Sequence, residues 1–143
     1  MNQNFVSPPE RQVIISHDGS QHCTAERRPD GNILYMDCPY TGKGAEFSPT
    51  NMIEAGLGGC MLLSMGTFAL HSGLNVSGIS MEVKVTMTEL PRMRFKSILV
   101  NANMPPGLSA KDRKRLEGAA EQCPIKHSFS DDVPINVKYN YPD

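Results

Sequence analysis

The sequence predicts an α+β fold with its elements in the order βββ-α-ββ-α-β, and three observations carry that prediction. A long apolar stretch from Ser48 to Gly73 has the end signals of one helix, period-two alternation marks strands around it, and a second, amphipathic helix begins after Ser109. Two antiparallel strand groups, each interrupted by a helix, place helices against sheet, because neither layer buries its apolar side alone.

Residues 1–10, with Pro8 and Pro9, read as an arm attached to a single domain over 1–143. From Arg11 a hairpin is expected, since Asp18-Gly19 is a strong turn signal between RQVIISH and QHCTAERR. A second turn at Pro29-Asp30-Gly31-Asn32 leads into the strand ILYM. The first third is therefore a small antiparallel meander. Residues 38–48, CPYTGKGAEFS, hold two glycines around Lys43 without the spacing of a phosphate loop and read as a flexible connector.

Ser48 is the expected N-cap of the long helix, Pro49 its first position and Gly73 its stop. At 1.5 Å per residue it spans about 35 Å, close to the diameter of a domain of this size. Between Met52 and Leu70 its only charge is Glu54, so it has no polar stripe and must be buried all round. Gly56, Gly59 and Gly66 permit close backbone approach, which points to packing against another helix, including one from a second subunit. The competing reading is a membrane span, but no basic flank marks its ends and its glycines are poor helix formers in water.

After this helix, Ile79, Met81, Val83, Val85 and Met87 alternate with polar residues, as in a half-buried strand. Beyond Pro91, Met93 and Phe95 are apolar at odd positions, whereas Ile98, Val100, Ala102 and Met104 are apolar at even ones. That phase change predicts a bulge near Lys96-Ser97. Ser109 and Asp112 form a capping-box pattern ahead of Leu116, Ala119, Ala120 and Cys123, which share one helix face. Pro124 ends that helix, and Val133 to Tyr141 alternates as the last strand.

Charge narrows the function classes. Fourteen basic residues against 15 acidic ones give a net charge of −1, which argues against a nucleic-acid or anionic-membrane surface. The N-terminus MNQNFVSPPERQ has no leader pattern, so a cytoplasmic protein is expected. Cys23, Cys38, Cys60 and Cys123 are too scattered for a secreted disulfide framework and lack zinc spacing, so neither metal nor cofactor is called for. The nine methionines read as adaptable core filler.

The chemistry rests on two cysteines. If the two helices pack together, Cys60 in the first and Cys123 at the end of the second can meet, with glycines giving access to one and Pro124 distorting the helix end at the other. Buried thiols are commonly inert core residues, and that reading stands beside the reactive one. A reactive pair would attack a peroxide, form a sulfenic acid and condense to a disulfide, which requires a cation or donor to lower a thiol pKa. Arg11, Arg27, Arg28, Arg92 and Arg94 are candidates, with Arg28 in the segment HCTAERRPDG. His127, four residues after Cys123, is a further candidate neighbour, although such a histidine is more often a cap.

FSPTNMIEAGLGGCM, ALHSGLNVSGISMEVKVTM and LEGAAEQCPIKHSF, in that order, resemble the OsmC/Ohr family of peroxide-stress proteins over about residues 20–140. The resemblance implies an OsmC-like intertwined homodimer, with two antiparallel sheets wrapped around central helices. It implies Cys60 as the peroxidatic thiol, Cys123 as the resolving one, an organic hydroperoxide substrate, and a dithiol reductant, lipoyl-type or small. Peroxidases of the family usually carry a glutamate after the proline that opens the central helix, where this chain has Thr50. Glu54 lies about 120° around the helix from Cys60, against about 80° for Thr50, and is a poor replacement. A noncatalytic ligand-binding or redox-sensing protein, or a structural protein with inert thiols, remain the alternatives to a thiol-dependent peroxidase.

Overall fold

The computed structural model describes residues 12–143, so the arm expected over 1–10 and the candidate Arg11 lie outside the described residues. The chain forms two compact units, divided between Met52 and Ile53. The described part of the first holds β1 (Gln12–His17), β2 (His22–Arg28) and β3 (Ile33–Asp37), an antiparallel meander in that order. Its two turns fall where the sequence places them, with Gly19 and Gly31 at positive φ. Residues 38–47 are more structured than a flexible connector. Gly42 donates to the Cys38 carbonyl, Ala45 to the buried Asp37 carboxylate, and Phe47 bridges to Met36.

Helix α1 runs from Pro49 to Ser72 and begins in this first unit. Ser48 caps it reciprocally with Asn51: the Asn51 amide donates to Ser48 Oγ and the Ser48 amide to Asn51 Oδ1, both at 3.1 Å. At the other end Gly73 turns left-handed and Leu74 donates to the Ala69 carbonyl, closing the helix.

The second unit adds β4 (Ser80–Met87), β5 (Phe95–Asn103), α2 (Ala110–Ala120) and β6 (Ile135–Asn140) to α1. Ser109 caps α2 through Asp112 as the sequence predicts. The register of β4 on β5 shifts at Thr86/Met87, where Phe95 and Ser97 are paired and Lys96 is skipped. This is the expected bulge. One expectation is corrected: the sheet, ordered β4-β5-β6, is mixed rather than antiparallel, because β6 pairs parallel to β5. The reason is topological, since a strand followed by a helix and a second strand returns the chain in the same direction.

The core of this unit is formed by Leu57, Met61, Met65 and Ala69 of α1, Ile98, Val100 and Ala102 of β5, and Leu116, Ala120 and Cys123 of and after α2. A Cβ at Gly58 would come within 3.0 Å of Val83 Cγ2, so glycine lets α1 sit close on β4. Burial all round α1, expected with the help of another helix, is supplied only in part by this chain. Its own chain buries Leu57, Gly58, Met61, Met65 and Ala69, whereas Leu63 and Leu70 are 73% and 80% exposed. Helix α1 is long and apolar enough to cross a membrane, but one face forms the core of a sheet protein.

Candidate functional site

Helix α1 carries two apolar stripes rather than one. The first faces the core. The second, Gly56, Gly59, Cys60, Leu63 and Thr67, follows i, i+3, i+4, i+7 and i+11 and lines a shallow groove of about 480 Å³ that Ile125 borders. Two stripes explain why no polar face was visible in the sequence.

Cys60 and Cys123 meet at this groove. Both are free thiols; Cys60 is half-buried and lines the groove, while Cys123 is 0% exposed in the core behind it. Burial first, and then its hydrogen bond with Cys60, push the Cys123 thiol above its ordinary pKa. Burial thus favours the protonated form of Cys123. The turn after it opposes that trend, because the Lys126 amide donates to Cys123 Sγ at 3.4 Å and the Ile125 amide also favours the thiolate. That turn is tied down: Lys126 Nζ pairs with Glu121 Oε2 at 2.5 Å, the Ser128 hydroxyl donates to the Pro124 carbonyl, and Tyr139 OH donates to Glu121 Oε1.

The other sequence candidates have definite places. His127 donates from Nε2 to the Glu121 carbonyl at 2.7 Å and so caps the end of α2. Glu54 accepts the Val85 backbone N–H at 3.1 Å, a donor on the outer edge of β4. Thr50 is half-buried in the first turn of α1, in the N-terminal unit. Arg28, in the same unit, pairs with Glu26 at 3.1 Å; Arg27 pairs with Asp30, and Arg94 in the second unit pairs with Asp132 at 3.0 Å. Among the described residues no group of three or more His, Cys, Asp or Glu side chains is placed to hold a metal ion. The sequence reading missed Ile125 and the Lys126 amide. The spacing of Cys123 to the turn after Pro124 was the available signal for both.

Residues 42–138 match the family described as OsmC-like protein. The chain belongs to that family. Among solved structures, a protein of Psychrobacter arcticus described as an osmotic stress induced and detoxification response protein superposes with a TM-score of 0.82 at 25% identity, covering 90% of this chain and 94% of its own. An organic hydroperoxide resistance protein OsmC from Legionella pneumophila gives 0.69 at 23% identity over 90% and 96%. The organic hydroperoxide resistance protein OhrB of Bacillus subtilis gives 0.67 at 16% identity over 92% and 98%, and shares the fold. No curated protein sequence matches this one.

Proposed function

We propose that this OsmC-like protein is a thiol-dependent peroxidase that reduces organic hydroperoxides to alcohols in the cytoplasm, as part of oxidative stress defence. The observation that carries the reading is the contact between two free thiols of unequal exposure, Cys60 in an apolar groove and Cys123 behind it. The Cys60 thiolate attacks the O–O bond; the bond breaks, one oxygen stays on sulfur as the sulfenic acid, and the alkoxide leaves and takes a proton. The Cys123 thiol then attacks the sulfenic sulfur, its proton joins the departing hydroxyl as water, and a Cys60–Cys123 disulfide forms. A dithiol, lipoyl-type or small, restores both thiols. Glu54, on the β4 edge, and His127, at the end of α2, are auxiliary residues in this proposal.

The working unit in this proposal is a homodimer. Leu63 and Leu70 on α1, and Val13, Ile14, Ile15, Ile33 and Leu34 in the N-terminal sheet, are apolar and exposed in one chain. Patches of this kind mark association surfaces.

Peptide mapping after one equivalent of cumene hydroperoxide tests the reading, with Cys60→Ser and Cys123→Ser in parallel. The expected products are the Cys60–Cys123 disulfide in the unsubstituted protein and a trapped sulfenic acid on Cys60 in Cys123→Ser. Unmodified thiols in both would instead favour the noncatalytic ligand-binding or redox-sensing reading, which Thr50 in place of the family glutamate supports.

A further inference from the structure

We infer that the reductant attacks the Cys60 sulfur of the Cys60–Cys123 disulfide, and that Cys123 is always the sulfur that departs, received by the backbone N–H groups of the turn at Ile125-Lys126. This rests on the peroxidase reading above and adds the direction of its reductive half. Thiol–disulfide exchange needs a nearly linear approach to one sulfur, so access chooses between two chemically similar atoms. Cys60 lines the groove beside Gly56, Gly59 and Ile125, whereas Cys123 is fully enclosed by core side chains. An external thiol reaches the first without opening the protein and the second only by local unfolding.

The step balances as follows. A thiolate RS⁻ attacks Cys60 Sγ, an R–S–Sγ bond forms, the Sγ–Sγ bond breaks, and its electron pair goes to Cys123 Sγ. The Lys126 amide already points at that sulfur, and the Lys126–Glu121 pair fixes the turn that carries it. Cys123 then takes up a proton, because burial favours its thiol, and it does not return at once to the mixed disulfide. The second thiol of a dithiol reductant attacks the R sulfur and releases Cys60 as a thiolate.

The test uses the native protein oxidised with diamide, which forms the disulfide without peroxide, followed by brief exposure to excess reduced glutathione, an alkyl thiol, and a rapid quench into denaturant containing excess N-ethylmaleimide, which alkylates every free thiol. The expected map has glutathione on Cys60 and maleimide on Cys123, with an excess of roughly tenfold or more over the reverse pattern. In the reduced protein, iodoacetamide should likewise modify Cys60 and spare Cys123. A mixed disulfide on Cys123, or comparable adducts on both, overturns the inference and leaves the peroxidase reading standing. Failure of peroxide to yield any Cys60–Cys123 disulfide, where diamide does, removes the peroxidase reading while the adduct position still decides the direction of exchange. Absence of the disulfide with both oxidants removes both.

Discussion

The two compact units bury apolar residues to very different degrees. In the second, β5 inserts Ile98, Val100 and Ala102 between strands and beneath helices, and each is essentially inaccessible. In the first, Ala25 and Asp37 are the buried residues among those described, and Val13, Ile14, Ile15, Ile33, Leu34 and Tyr35 are exposed. Consecutive strand residues point to opposite faces, so Val13-Ile14-Ile15 and Ile33-Leu34-Tyr35 make both faces of the meander apolar. A sheet with one wet face alternates polar and apolar residues. This one is built to be covered on both sides, and a second copy of the chain is the proposed cover.

The sharpest way to break that comparison is to remove core volume where it exists. Leu116→Ala, at a fully buried position of α2, should cost about 2–5 kcal/mol in urea denaturation. A loss below about 1 kcal/mol would mean the second unit is not packed as described. Next, Ile33→Ser combined with Leu34→Ser should weaken the proposed dimer by about 1.5–3 kcal/mol for each side chain that a second copy would cover, read as a shift in dissociation constant by sedimentation. A change within about 0.5 kcal/mol would show a sheet surface that nothing covers.

Gly59→Leu sharpens the same point on α1. A Cβ there meets nothing within 4 Å in its own chain, so overpacking of roughly 1–3 kcal/mol is expected only against a second subunit. A dimer unchanged by this substitution would place the subunit contact elsewhere. The smallest effect concerns Cys38 in the first unit. The Thr41 hydroxyl at 3.1 Å, with the amides of Thr41, Tyr40 and Gly42, lowers its pKa to about 7. The thiolate is the reactive form, so alkylation of Cys38 should accelerate as pH rises through about 7 and slow below it. Thr41→Ala should move that midpoint upward, and an unmoved midpoint would show that the hydroxyl is not what holds the thiolate.

Much of this was legible in the sequence, for reasons that the residues make plain. Local chemistry fixed both ends of α1 at Ser48 and Gly73 and the start of α2 at Ser109, and the change of parity between Phe95 and Ile98 located the bulge at Lys96. Helix α2 itself stops at Ala120 rather than at Pro124, so Cys123 lies in the turn after the helix and not on its face. Alternation does not encode strand direction, so Ile135 to Asn140 looked the same whether parallel or antiparallel to β5. Likewise, an all-apolar helix cannot reveal which of its faces its own chain will use. Pairing Cys60 with Cys123 was visible as a possibility of packing between the two helices, but the difference in their exposure is tertiary. It depends on Cys123 joining the buried cluster of Leu57, Met61 and Leu116 while Cys60 packs at its margin.

The hydrogen bond from Val85 to Glu54 has a consequence beyond the fold of one chain. Among the described residues β4 is an outer strand of its sheet, and the outward amides of such a strand are a template on which an extended segment of another molecule can add and begin aggregation. The Glu54 carboxylate occupies one of those amides and sets a negative charge beside the rest. The one charge in the apolar heart of α1 therefore guards the sheet margin, and a chain lacking it would be expected to lose solubility before it lost structure.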